Sequence, residues 1–476
     1  MAPSSSSARD LTHGPVGPTM LRLAAPMALG LAAVIFFSVV DTFFVGRLGA
    51  SALAAMGFTF PVVFFVSSVA MGVGVGLTSV VSRAIGGGDR QRVRRLVTDG
   101  LILANLLVLL AALAGLLTLE PLFRALGAPD DLLPLIADYM VPLYLGIGLV
   151  VIPMVGNSAI RATGDTKTPS LVMAIAGGAN VVLDPLLIFG LGPFPRLELQ
   201  GAALATVGSY GITLVASLWI LGRRERLLCF DRPRLTEMLA SWREILVIGV
   251  PAAATNALVP LAGGILTRLV AGFGPAAVAA YGVGTRIESL ALIGITATAI
   301  ALAPFVGQNF GADRCDRVRA AFRFAVRAAL GYGLAVALLL ALGARTVAGW
   351  FSDSAEVATF ASAYLWWVPV SYGLFGAVLL ASSTFNALGK PLRSTALVAL
   401  RLFVLAVPLA WIGGRVFGVH GLFAGITAAN AIAGFAAIRA GRHFLRGVED
   451  DPTCHAEDEA TATSLAETEA VSHSAA

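Results

Sequence analysis

Charge is scarce in this sequence. Asp, Glu, Lys and Arg make up 13% of its 476 residues, about half the share of a soluble domain. Cysteine is scarcer still. Cys229, Cys315 and Cys454 lie far apart in polar segments, which excludes a disulfide scaffold or a zinc site, since both need paired or closely spaced cysteines; free thiols are expected. The two-residue alternation of barrel strands is missing, as are a nucleophile–base pair, a metal-ligand cluster and a phosphate loop, so no enzyme and no cofactor are expected. GVGVG at 72–76 falls inside an apolar run and reads as close helix packing. No apolar stretch precedes the first long run, so the Ser-rich residues 1–20 read as a cytoplasmic lead and not as a cleavable signal.

What is abundant is apolar length. Hydrophobic residues make up 57% of the chain. Twelve runs of about 20 residues or more can each cross about 30 Å of hydrocarbon as a helix: 21–45, 52–82, 96–119, 134–158, 168–190, 200–221, 244–271, 277–308, 320–344, 362–388, 394–413 and 420–444. The net charge of +5 is not a nucleic-acid signature, because of where the cations fall. Assigned to alternate loops, 25 of the 33 Lys and Arg lie on one side with both termini and five on the other. That asymmetry places both termini in the cytoplasm of a multi-pass protein of the inner (plasma) membrane. Residues 446–476 are acidic and rich in Ala, Thr and Ser, and are expected to form a disordered cytoplasmic tail.

A shift of 225 residues superposes the chain on itself. Pro26 meets Pro251, Gly49 meets Gly274, Gly57 meets Gly282, Gly86 meets Gly311, Arg92-Val93-Arg94 meets Arg317-Val318-Arg319, and Tyr139 meets Tyr364. Six spans in each half give parallel repeats. The expected fold is an all-α integral membrane protein: twelve transmembrane helices in two parallel six-helix repeats around a central cleft. The first lobe would span 21–221 and the second 244–445, joined by a cytoplasmic linker at 222–243.

Two carboxylates interrupt the apolar runs. Asp41 lies in the first span and Asp184 in the fifth. A carboxylate at mid-bilayer costs about 2.5–3.5 kcal/mol even on lenient insertion scales, and normally marks an ion or proton path. Asn180 shares a helix face with Asp184. With 1.5 Å rise per residue, Asp41, Asp184 and Thr206 all fall roughly 6–9 Å from the outer ends of their spans. The repeat sets leucine against each polar residue of the first two spans concerned: Leu266 against Asp41, Leu405 against Asn180 and Leu409 against Asp184. The scaffold therefore does not demand polarity there. Two carboxylates, an amide oxygen and a hydroxyl suit a hard cation such as Na⁺. The same carboxylates pressed together at low dielectric hold a proton. Either is compatible with the residues.

Twelve spans in two halves, VDTFFVGRLGA, AIRATGDTKTPS, NVVLDP, GAALAT, QNFGA and FNALGKPLRS, in that order, resemble the multidrug and toxic compound extrusion (MATE) family, and within it the DinF-like subgroup. The resemblance implies H⁺- or Na⁺-coupled antiport of amphipathic, often cationic organic compounds through a V-shaped pair of lobes. It gives ion-site roles to Asp41, Asn180, Asp184 and Thr206, and adds Asn157, whose depth places it nearer the cytoplasmic end. No nucleic acid is expected as partner, only small organic cations and drugs, with membrane lipid around a monomer. Pro26 removes a backbone hydrogen bond from span 1 and is either a conformational hinge or a static kink. Glu288, the one acid within the spans of the second half, reads as a structural ion pair with Arg268, Arg286 or Arg401. The alternative function is flipping of a lipid-linked precursor, with Arg268 and Arg401 available for a pyrophosphate.

Overall fold

Leu-, Ala-, Val- and Gly-rich runs fold as helices nearly end to end, since in hydrocarbon every backbone N–H and C=O must be satisfied within its own segment. The computed structural model describes residues 10–230, 234–351 and 354–449. The first half holds α1 (Val16–Gly46), α2 (Ala50–Gly86), α3 (Arg90–Leu117), the short α4 (Leu119–Ala125), α5 (Leu133–Ala162), α6 (Lys167–Phe189) and α7 (Glu198–Trp219). The second holds α8 (Leu235–Ala271), α9 (Pro275–Ala291), α10 (Ile293–Gly311), α11 (Cys315–Phe351), α12 (Ala355–Trp367), α13 (Tyr372–Ala387), α14 (Pro391–Ala399) and α15 (Val407–Glu449).

These helices make twelve spans. Among the described residues, eleven continuous helical stretches are long and apolar enough to cross a membrane, if α9 is set aside as too short. The last stretch, Pro391–Gly447, is two spans folded back at Phe417 and Gly418, whose backbone leaves the helical region. Gly413 stands against Gly421 and Gly425 against Leu409 across that hairpin. The eighth span is α9 and α10, interrupted at Leu292. The helices outrun the apolar stretches: α8 starts at Leu235, because LTEMLASWREI is amphipathic and hides from a count of apolar length. Cys315 is disulfide-bonded, which corrects the free thiol expected for it. Cys454 and the acidic tail beyond Glu449 lie outside the described residues.

The repeat is visible in the backbone. Gly49 and Gly274 begin α2 and α9 with φ of 117° and 99°. Both lie in the left-handed region open to glycine. Two large hydrophobic cores form, one mostly from each half, with an exchange at the seam. Met20, Leu23 and Ala24 of α1 belong to the second core, whereas Ile245 and Ile248 of α8 belong to the first. The two pseudo-equivalent helices therefore cross between lobes, and Pro26 and Pro251 stand where each one changes core.

The described chain begins and ends at the same end of the bundle, where the lobes are sealed together. Backbones meet there without side chains between them: a Cβ on Gly86 would sit 2.1 Å from the Gln308 carbonyl, one on Gly311 2.1 Å from the Arg83 carbonyl, and one on Gly76 2.4 Å from the Ile245 carbonyl. Ser79 Oγ donates to the carbonyl of Asn386 at 2.6 Å, and Gln308 Nε2 to that of Ala162 at 2.8 Å. The lead straps this seal. Leu11, buried, donates its N–H to Gln308 Oε1 at 3.2 Å and accepts from Asn309 Nδ2 at 3.1 Å. The Arg317 guanidinium donates to the carbonyls of Leu11, His13 and Gly14. Within the strap, burial alone would raise the Asp10 carboxyl, but donors from Thr12 and His13 outweigh it and hold the group below the usual carboxylate range. Its contribution is therefore present above that range and lost as pH falls through the lowered value. Hydrogen bonds from a charged donor are each worth about 1.5–3 kcal/mol when shielded, and less at an exposed rim. We expect Arg317→Ala to release the strap and raise thiol-labelling of a cysteine placed at Ser82, buried in the seal, several-fold, measured on purified protein. Unchanged labelling would show that the strap carries no closing force.

Candidate functional site

The site begins with small residues. α1 and α6 run side by side in parallel, in a register set by contacts about 140 residues apart in the chain. Gly30 faces Ser170, and the Phe37 ring occupies the place a Cβ on Gly177 would need. Ser170 Oγ lies 3.5 Å from Met27 Sδ. Because neither Gly30 nor Gly177 carries a side chain, the helices approach closely enough for Asp41, one turn beyond Phe37, to meet Asp184. The two carboxyl groups lie close enough to interact directly. Asp184 is fully buried. Asp41 Oδ1 and Asp184 Oδ2 are both buried with no other partner. Asn180 Nδ2 donates to Asp184 Oδ1 at 3.3 Å, one helical turn away as the sequence spacing requires.

Three of the five candidate ion-site residues are thus gathered into one contact group: Asp41, Asn180 and Asp184. Thr206 is half-buried on α7, and its hydroxyl proton is committed to the Ala202 carbonyl at 3.1 Å, which leaves its lone pairs as acceptors. Asn157 is buried near the end of α5 that joins the seal, and its Oδ1 has no partner. Among the described residues no hydrogen bond ties Thr206 or Asn157 to the acidic pair. Pro26 lies inside an unbroken α1, at the junction between the cores.

Tyr139 is a member that sequence reasoning did not place. It is buried on α5 and interacts electrostatically with both Asp41 and Asp184. The signal was present in the repeat, which pairs Tyr139 with Tyr364. In the second lobe Tyr364 OH donates to Glu288 Oε2 at 2.7 Å. The same tyrosine position attends the acid of each lobe.

Glu288 corrects an expectation. Among the described residues no Arg or Lys nitrogen lies within 4.0 Å of it, so it is held by Tyr364 and not by a structural ion pair. Arg268 and Arg286 are exposed, while Arg401 donates to Asn430 Oδ1 at 2.9 Å. A lateral distance between helices is not encoded in spacing along the chain. The phenylalanines of the first two spans divide. Phe36, Phe43, Phe60 and Phe65 are exposed, whereas Phe44 and Phe58 pack on the first core.

Comparison with known proteins agrees with this architecture. The MatE family matches residues 26–186 and again 251–412, the second match starting 225 residues after the first. A FAD transporter of Shewanella oneidensis is 39% identical over 90% of this chain and 94% of its own length. A probable multidrug resistance protein of Bacillus subtilis is 29% identical over 82% of this chain and 85% of its own. The crystal structure of a Vibrio cholerae MATE transporter in its bent form superposes with a TM-score of 0.86 at 31% identity, covering 91% of this chain and 98% of that one.

Proposed function

The chain belongs to the MatE family of membrane transporters, and from that premise we propose that it exports amphipathic organic compounds by alternating access, driven by protons that enter through the Asp41–Asp184 pair. The observation that carries the reading is the contact between two carboxyl groups with orphaned oxygens in an apolar interior. Two ionised carboxylates cannot share such a place, because their repulsion at 4 Å is about 4 kcal/mol even at an effective dielectric of 20. One proton or one cation must relieve that repulsion. The surrounding groups favour a proton. Asn180 turns an N–H toward Asp184, and Thr206 is bonded to its own helix, so few oxygens are left to complete the shell of a hard cation.

Protonated, the pair lets α1 lie against α6. Deprotonated, it pushes the upper part of α1 away while the part below Pro26 stays in the second core. Pro26 lacks the N–H that would resist the bend. The motion at Asp41 is thereby transmitted to the cavity of the first lobe and to the seam, and substrate and proton compete for the same conformation. The sealed end bears the arginine-rich stretches 90–95 and 222–226, which supports its assignment to the cytoplasmic side of the cell membrane. A flippase reading needs a pyrophosphate-wide cationic cluster. Of its two candidates, Arg268 is exposed, whereas the Nε of Arg401 is buried.

Transport in proteoliposomes tests the reading. One pH unit directed inward against export should sustain about a tenfold concentration gradient of an amphipathic dye per proton exchanged, since a pH unit is worth about 1.4 kcal/mol. The activity should persist without Na⁺. A strict requirement for Na⁺, with no response to pH, overturns the proton assignment.

A further inference from the structure

The second lobe holds a cluster of buried polar side chains that the acidic pair does not use. Three interruptions of the helical ladder supply or flank its residues: the break at Leu292, one turn after Glu288; the 3₁₀ segment Val368–Ser371, which contains Pro369; and the π segment Leu400–Ala406, which contains Arg401. The equivalent helix of the first lobe, α6, is regular throughout. π segments are rare and concentrate at functional sites, and broken helices facing one another within a bundle are where transporters build substrate sites.

The side chains there are prepared and incompletely paired. The Arg401 guanidinium lies over the Phe375 ring, 4.1 Å from its centroid. Its Nη1 donates to Asn430 Oδ1, and Asn430 Nδ2 in turn donates to Ser371 Oγ at 3.0 Å, which fixes the orientation of the fork. Arg401 Nε is buried without a partner, and so is the hydroxyl of Tyr372, a residue 1% exposed. Glu288 interacts with Arg401 electrostatically but does not reach it, its carboxylate being occupied by Tyr364. A buried guanidinium with an empty donor edge lacks the compensation that makes a buried charge tolerable. A carboxylate or phosphate supplies it, because the fork of Arg matches both bidentately. Tyr281, Tyr364 and Phe423 stack edge to face beside it, which offers an apolar wall to the remainder of the ligand.

We propose that this second-lobe cluster is a substrate subsite that accepts the anionic group, a carboxylate or phosphate, of an amphipathic aromatic solute on the free edge of Arg401, with Tyr372 as a second donor. The inference rests on the export reading and extends it. The first lobe handles the coupling proton, and the second discriminates substrates by charge. Zwitterionic and anionic compounds then join the cationic ones as cargo.

The test compares flavin mononucleotide with riboflavin, which share one fluorescent ring and differ by one phosphate, binding to the full-length protein in nanodiscs of zwitterionic lipid. Wild type is expected to bind the phosphorylated form about tenfold tighter, and Arg401→Gln to erase that ratio while leaving riboflavin unchanged. Arg401→Lys keeps the charge without the fork and should retain part of the ratio, and Tyr372→Phe should lower it about threefold. Both guard against a misfolded Gln variant. Phosphatidylglycerol that competes with the nucleotide in wild type but not in Arg401→Gln places a lipid phosphate at the same subsite. Equal ratios in wild type and all three variants, or no preference in wild type, overturn the proposal. If cationic dye export persists in wild type and Arg401→Gln while the ratio is absent, only the subsite falls. If no organic compound moves in wild type, the export reading falls first.

Discussion

Asp41→Asn is expected to abolish uphill efflux, leaving less than about 5% of the wild-type gradient-driven rate, and at the same time to raise thermal stability. The two effects have one origin. Asp41 and Asp184 meet in an apolar interior, each with an oxygen that has no other partner. An asparagine donates an N–H to Asp184 whatever the pH, so the pair permanently mimics its singly protonated arrangement and no proton need enter or leave. The conformational cycle then loses its driving step. The same substitution removes a carboxylate whose placement costs about 2.5–3.5 kcal/mol at mid-bilayer, a trade of stability against activity common at functional sites. Efflux from proteoliposomes and thermal unfolding of the same preparations check both halves. An Asp41→Asn protein that pumps normally, or one that pumps poorly because it unfolds earlier, contradicts the explanation.

The double substitution Gly86→Ala and Gly311→Ala should cut transport more than tenfold by a different route. At the sealed end the Cβ of the first would stand 2.1 Å from the Gln308 carbonyl oxygen, and that of the second 2.1 Å from the Arg83 carbonyl oxygen and 2.9 Å from its Cα. Ordinary contact begins at about 3.5 Å, and the obstacles are backbone, which cannot rotate aside. α2 and α10 must separate by more than an ångström, and the strap that depends on Gln308 and Asn309 separates with them. The transporter is then held open at that end. Distances between spin labels on α2 and α10 should lengthen at that end. As a control, Gly57→Ala should be near neutral, because nothing lies within 4 Å of its Cβ position, and the same holds for Gly282. Short label distances in the double variant would show that the seal tolerates the added methyl groups.

Much of this molecule was legible in its sequence, for reasons that can be named. Twelve spans follow from apolar length, and the repeat follows from a single shift that matches Gly49 with Gly274 and Tyr139 with Tyr364. Asp41, Asn180 and Asp184 stood out as polar residues where the twin carries Leu266, Leu405 and Leu409. Their meeting follows from Gly30 and Gly177, ordinary small residues until the parallel register of α1 and α6 is known. What was illegible is lateral. Glu288 and Arg401 share the interior of one lobe, but hydropathy carries no information on whether two helices bring them into contact. The π segment at Leu400–Ala406 looks like any apolar run, because an i→i+5 bond leaves no compositional trace. The exchange of α1 and α8 between cores was hidden as well, since nothing in an apolar helix states which neighbour covers it. Tyr139 was visible as a repeat match and invisible as a neighbour of the acids.

The central claim is that the buried pair on α1 and α6 holds one exchangeable proton whose release is linked to substrate. It is tested most directly by adding a transported compound to purified protein in weakly buffered, Na⁺-free solution and reading proton release with a pH-sensitive dye. The account predicts about one proton per wild-type molecule and none from Asp41→Asn or Asp184→Asn, with all three proteins still binding the compound. Equal release from the wild type and both variants, or release that appears only when Na⁺ is supplied, would contradict it.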